Sequence, residues 1–232
     1  MNYLAHALPF LDRPYFVAGT AVPDWLAVAD RQVRVRAKHA APLEHAEDPC
    51  VAAVAGGLLQ HFRDDHRFHE TRAFAETSLE LAAAVRRALG AESGFRASFL
   101  GHLLVEVLLD AELAGEDTAR LEAYERALAS LDPRGVQDAV NRMVRRPTLR
   151  LAPMIALFRQ ARILWDYLED AKLWVRLNQV LRRVGLDPLP DDAAAVLPPA
   201  RQLVRRRRRE LLEGIPVVPE ESSGRGTAGH RA

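Results

Sequence analysis

The chain has 232 residues, 49% of them hydrophobic and 27% charged, with a net charge of +1. That length can bury a sizeable core without disulfides, and the near-neutral charge gives no general pull toward nucleic acid or an anionic membrane. Cys50 is the single cysteine, which excludes an intrachain disulfide and a cysteine-rich zinc module and suits a reducing cytoplasm.

The opening "MNYLAHALPFLDRP" lacks the basic region of a signal peptide, and no segment reaches the apolar length of a transmembrane helix. The expectation is a soluble, cytoplasmic protein. Long stretches are dominated by alanine, leucine and arginine, with glycine and proline sparse inside them and no strand-like alternation, so the expected fold class is all-α. Helices are predicted over 2–10, 23–31, 50–68, 70–89, 94–114, 117–130, 134–145, 151–185 and 191–213. "GAESG" and "GLDPLPDD" supply stops, and the small, polar stretch from 214 to 232 reads as a disordered tail.

His6 falls in the first short apolar helix. In "AGTAVPDW", Gly19, Pro23 and Asp24 read as a turn, with Asp24 as the N-terminal cap of the next helix. The stretch "HFRDDHRFH" then packs three histidines and two aspartates into nine residues. At 3.6 residues per turn, His61, Asp65 and His69 share one face with Val51, Val54, Leu58 and Phe62. Gln60, Arg63, Asp64, Arg67 and Glu70 fall to the solvated side.

A second ladder follows in "FRASFLGHLLVEVLLDAEL", where His102, Glu106 and Asp110 again stand four residues apart. This helix is apolar almost all round and is therefore central. A buried carboxylate without a partner costs several kcal/mol, so Glu106 and Asp110 need partners. Two His/carboxylate ladders can satisfy each other as a buried network or jointly hold a metal. Imidazole and carboxylate without thiolate suit manganese, iron or magnesium, with zinc as a further choice.

The segment 151–185 reads as one long amphipathic helix with Leu157, Ile163, Leu164, Tyr167, Leu168 and Leu173 on its core side. Its Trp165 and Trp174 are core residues or walls of a pocket for an acyl or pantetheine chain. Arg205 to Arg209 form an unbroken run. They read as a solvated helix or, alternatively, as a patch for RNA, anionic lipid or an acidic protein such as a carrier protein.

"MNYLAHA" at the start, Gly19 and Asp24 in "AGTAVPDW", and His61 and Asp65 in "HFRDD" with Phe68 beyond together resemble the acyl carrier protein phosphodiesterase family. The similarity covers roughly the first half of the chain. It implies an HD-like helical domain, here 1–213, and manganese-dependent cleavage of the phosphodiester joining phosphopantetheine to a carrier-protein serine. It implies Asp24, His61 and Asp65 as metal ligands or their close supports, with His6 nearby. The chain departs from the family pattern at Thr20, His69 and Ala111, and His102 and Glu106 replace the missing histidine of the later Asp-His pair.

The reading is a divalent-metal-dependent phosphoester hydrolase. His6, Asp24, His61, Asp65, His69, His102, Glu106 and Asp110 are its metal candidates, and Asp24, His61, Asp65 and Glu106 its catalytic candidates. The substrate class is a phosphodiester or a phosphopantetheinyl group on an acidic carrier protein. The alternative is a non-catalytic helical scaffold or partner-binding protein that keeps the ladders as structure. No Gly-rich phosphate loop and no Gly-x-Ser-x-Gly elbow is present.

Overall fold

The computed structural model describes residues 1–90 and 94–216. The predicted tail from 217 onward and three residues of the "GAESG" stop lie outside the described residues. Within them the chain is all-α, with no strand: α1 (Tyr3–Ala7), α2 (Pro14–Ala29), α3 (Ala37–Ala40), α4 (Pro49–Glu70), α5 (Arg72–Leu89), α6 (Gly94–Glu116), α7 (Ala119–Ala129), α8 (Pro133–Asn141), α9 (Leu151–Ala161), α10 (Ile163–Asp166), α11 (Asp170–Val184) and α12 (Leu197–Leu211). None of these helices is long and apolar enough to cross a membrane.

The starts follow from capping. Asp48 accepts from the backbone N–H groups of Cys50 and Val51 and is followed by Pro49 at the first helical position of α4. Thr71 closes α4 and caps α5 by accepting from Phe74 N. One continuous core runs from Met1 to Ile215, and α6 passes through it with Leu100, Leu104, Leu108, Leu109 and Leu113 buried.

Two glycine crossings set the geometry of the site. A Cβ on Gly19 of α2 would stand 2.3 Å from the Val54 carbonyl oxygen, and one on Gly57 of α4 would stand 2.0 Å from that of Phe16. Helix α2 thus lies directly against α4. A Cβ on Gly101 would meet the Ser78 carbonyl oxygen at 2.5 Å, which brings α6 onto α5 in the same way.

Three sequence expectations are corrected here. Gly19, Pro23 and Asp24 do not form a turn: α2 is continuous from Pro14 with Pro23 inside it, because Gly19 serves a helix crossing and not a bend. Asp24 therefore caps nothing. Residues 151–185 are not one helix either: Arg162 adopts a left-handed backbone (φ 44°) between α9 and α10. Its guanidinium binds Glu125 at 2.7 Å and lies 5.0 Å over the Trp165 ring, a tertiary clasp that local periodicity does not reveal. Leu157, assigned to the core side, is 61% exposed.

The arginine run ties α12 across its neighbours. Arg205 pairs with Glu112 at 2.8 Å, Arg207 with Glu76 at 2.9 Å, and Arg208 with Glu116. Trp174 is buried, and Trp165 donates its indole N–H to Glu125 at 2.7 Å.

Candidate metal centre

Helix α1 is five residues long and could not persist alone; its first-turn N–H groups are secured from two directions. Asn2 accepts from Tyr3 N at 2.9 Å, while the two carboxylate oxygens of Asp110 accept from Leu4 N and Ala5 N, each at 2.8 Å. Asp110 is fully enclosed, and burial pushes its pKa up to about 7 against the pull of those two N–H donors. This carboxylate faces α1, so the structure makes it the anchor that lays His6 against α4.

There His6 meets the first ladder. The rings of His6 and His61 stack with centroids 4.3 Å apart, and Asp65 faces both, with Oδ1 3.2 Å from His6 Nε2 and Oδ2 3.2 Å from His61 Nε2. The far nitrogen of each ring is held. His61 Nδ1 lies 2.7 Å from the Thr20 carbonyl oxygen. An imidazole nitrogen facing a carbonyl must be the protonated donor, which leaves Nε2 directed at Asp65. Thr20 is one residue past Gly19, whose carbonyl loses its helical donor at Pro23, so the turn of α2 that Pro23 interrupts is the turn that serves His61.

His6 Nδ1 stands 3.2 Å from Asp64 Oδ2, and Gln60 Nε2 donates to Asp64 Oδ1 at 2.7 Å. His6 Nε2 is buried, close to Asp65 but out of line for a hydrogen bond. Burial disfavours the charged ring, yet the carboxylates of Asp64 and Asp65 beside it outweigh that and raise the His6 pKa to about 9. Burial likewise opposes ionisation of Asp65, but His6, His61 and the Met1 amino group hold its carboxyl well below the usual range. A carboxylate behind a histidine whose other nitrogen faces a common point is the arrangement that orients metal ligands.

The second ladder gives a second group. Glu106 Oε1 lies 2.9 Å from His69 Nε2 and 3.3 Å from His102 Nε2, and the two rings are 4.9 Å apart. Burial works against the charge on Glu106, but the Met1 amino group, His102 and His69 keep its pKa far below normal. His6, His61 and Asp65 form one set, and His69, His102 and Glu106 another, with the ligand atoms of each set within 4.8 Å of one another. The Met1 nitrogen stands between the sets, 2.7 Å from Asp65 and 3.1 Å from Glu106. It is itself buried, which lowers its pKa, but the two carboxylates prevail and raise it.

Six of the eight metal candidates are thus brought together, from α1, α4 and α6. Asp110 is placed behind α1. Asp24 lines a large cavity beside Met1, Phe62 and Glu106, and burial raises its pKa despite the favourable charges of His61 and His6.

Asp64 corrects the sequence reading, which put it on the solvated face: it is 3% exposed. It lies about 60° around α4 from His61, at the border of the two faces, and α1 covers that border. Sequence reasoning also missed Gln60, the Thr20 carbonyl and the Met1 nitrogen. The spacing of Gln60 and Asp64, four residues apart, was the one available signal for such a pair.

Each set carries two imidazoles and one carboxylate, a donor combination used by zinc hydrolases and by non-haem iron centres, and the set geometry fits a divalent ion. Comparison with protein-family models, with curated proteins and with solved structures returns no match.

Proposed function

We propose that this chain is a divalent-metal-dependent phosphoester hydrolase, with one ion in the His6–His61–Asp65 set and a second in the His69–His102–Glu106 set. The observation that carries the reading is the presence of two His/His/carboxylate sets on either side of the Met1 nitrogen, with the far nitrogens of His6 and His61 already held by Asp64 and the Thr20 carbonyl. Ions in paired sites lower the pKa of bound water and draw charge from phosphoryl oxygens.

The remaining roles belong to the chain. Asp64 and the Thr20 carbonyl orient the imidazoles and fix their tautomers. Asp24 is a carboxylate beside the sets that belongs to neither, and its raised pKa suits a general base, an effect worth about 10²–10⁴ in rate. Manganese is the first metal to try, from the resemblance of the opening heptad and the histidine helix to the carrier-protein phosphodiesterases, with iron, zinc and magnesium after it. That resemblance also makes a phosphopantetheinyl carrier protein the first macromolecular substrate to try, and a cytoplasmic setting suits the lone Cys50.

A second reading, a metal-free buried network in a scaffold protein, is favoured by one observation: the Met1 amino group already neutralises Asp65 and Glu106 in part. Metal content separates the two. The full chain, loaded and desalted, is analysed by plasma mass spectrometry beside a His61→Ala, Asp65→Ala double variant, and hydrolysis of bis-p-nitrophenyl phosphate is assayed with each metal. Near-stoichiometric metal lost in the variant, with metal-dependent hydrolysis, supports the proposal. A chain that takes up none of the four metals overturns it and leaves the network.

A further inference from the structure

A cavity of about 860 Å³ opens beside the two sets, within the ~300–1,000 Å³ typical of pockets that enclose a small ligand. Its wall is of mixed character. Asp24 and Glu106 line it beside the sets, the only acidic residues in its wall among the described residues. Its body runs between α2, α6, α9 and α11 along apolar side chains that include Leu26, Leu103, Met154, Phe158, Leu177 and Val180. Its wall also carries Arg31, Arg34 and Arg183.

Of the four arginines in the wall, these three form no ion pair among the described residues. Arg176, the fourth arginine in the wall, is paired with Asp166 at 2.6 Å. Among the described residues Arg34 and Arg183 form no ion pair and donate no side-chain hydrogen bond, while Arg31 reaches only the backbone carbonyl of Arg183. Exposed apolar side chains gather on the same wall: Leu157 is 61% and Val184 43% exposed. A wall that keeps unpaired guanidiniums beside uncovered leucine and valine matches a ligand that is apolar in its body and anionic at one end.

We propose that this cavity binds the hydrocarbon arm of an anionic amphiphile, with the arm along α9 and α11 and its terminal anion at Arg34 and Arg183. Resting on the hydrolase reading above, this names the substrate class of the site: a phosphoester whose scissile group lies at the two sets and whose long apolar arm ends in a carboxylate or phosphate. The arm supplies binding energy remote from the reacting phosphorus, which positions the ester without taking part in its cleavage. No bond is made or broken in the cavity itself.

The test uses the full chain treated with chelator, so that binding is read apart from metal. Titration calorimetry compares butyrate, octanoate, dodecanoate and dodecyltrimethylammonium, each below its micelle concentration. Each added methylene buried is expected to tighten binding about fourfold until the cavity is full, giving at least a hundredfold between butyrate and dodecanoate. The cationic amphiphile should bind at least tenfold more weakly than dodecanoate.

Val180→Trp, or Ala27→Trp should that variant fail to fold, narrows the apolar body of the cavity and should weaken dodecanoate binding more than butyrate binding. Arg34→Glu with Arg183→Glu should remove the preference for the anion. Dodecanoate that binds no more tightly than butyrate, or binding indifferent to both the tryptophan and the glutamate variants, overturns the inference. Metal uptake and bis-p-nitrophenyl phosphate hydrolysis with no chain-length dependence would sink this inference alone. Chain-length-dependent binding by a protein that takes up no metal would sink the hydrolase reading and leave the amphiphile site standing.

Discussion

Asp110→Asn separates anchoring from ligation. The aspartate accepts from Leu4 N and Ala5 N with its two oxygens, and the amide, of nearly the same volume, keeps one acceptor and turns a donor toward the other N–H. One buried backbone N–H is left without a partner, a cost of about 1–3 kcal/mol. The pH dependence carries a sign. Burial raises this carboxyl from 3.8 to about 7, so between those values the folded chain holds a proton that the unfolded chain releases. Wild-type stability from this group is therefore fully present below pH 4 and falls as pH rises through 7, by up to about 4 kcal/mol. An asparagine does not titrate, so the destabilisation relative to wild type should be greatest below pH 4, still larger at pH 5 than at pH 8, and least near pH 8.

Urea unfolding at pH 5.5 and pH 8 reads both effects, and amide hydrogen exchange over residues 3–8 should quicken in the variant as α1 loosens. With excess metal at pH 7.5 the variant should still fill both sets, with affinity weakened only at the His6 set as α1 loosens, because Asp110 faces the backbone of α1 and not the two sets. Loss of metal with stability unchanged would refute this assignment and return Asp110 to the ligand set. A destabilisation below about 0.5 kcal/mol at pH 5.5 would refute the anchoring role.

Three further outcomes follow from the same geometry. Gly57→Ala drives a Cβ to 2.0 Å from the Phe16 carbonyl oxygen, so a thermal or urea melt should show at least about 3 kcal/mol of destabilisation, and metal affinity should fall as the Thr20 carbonyl moves off His61. Asp64→Asn leaves the buried position filled but replaces the carboxylate behind His6, and metal titration should read about a 10–100-fold weaker affinity. In chelator, the raised His6 pKa contributes stability below pH 6.5 that is lost as pH rises through about 9, roughly 3 kcal/mol in all; urea melts across that window should show the decline, and His6→Gln should flatten it.

The helices themselves were legible because their cause is local. Alanine, leucine and arginine with a 3.6-residue apolar period give α4, α5 and α6 within a few residues of their observed ends, and the same period put His61 with Asp65 and His102 with Glu106. What failed depended on contacts distant in sequence. Gly19 and Pro23 look like a turn until α4 is laid against Gly19, and the break at Arg162 exists because Glu125, 37 residues earlier, holds its guanidinium. Asp64 sits at a face border whose sign is set by α1, and Asp110 has the spacing of a ligand but meets two N–H groups of α1 first. The cavity was equally illegible, since its wall is assembled from α2, α6, α9 and α11.

Hydrogen bonding constrains what the first set can be. With His61 Nδ1 donating to the Thr20 carbonyl and His6 Nδ1 facing Asp64, a neutral ring at each position presents a bare Nε2 to Asp65, whose Oδ1 already accepts from the Met1 amino group at 2.7 Å and whose Oδ2 faces His61. Lone pair against lone pair at 3.2 Å is repulsive, and the Met1 amino group offsets this only on the Oδ1 side, so a positive charge between Asp65 and the rings is favoured. A proton can serve, and the His6 pKa of about 9 is that solution on the His6 side in a metal-free chain. A divalent cation serves with twice the charge and without enlarging the site. The two solutions compete for the same lone pairs, so metal uptake must expel protons and must strengthen as pH rises toward 9. A scaffold whose network exists only for stability has no such exchange to make, and this difference, more than the count of histidines, divides the two readings of the site.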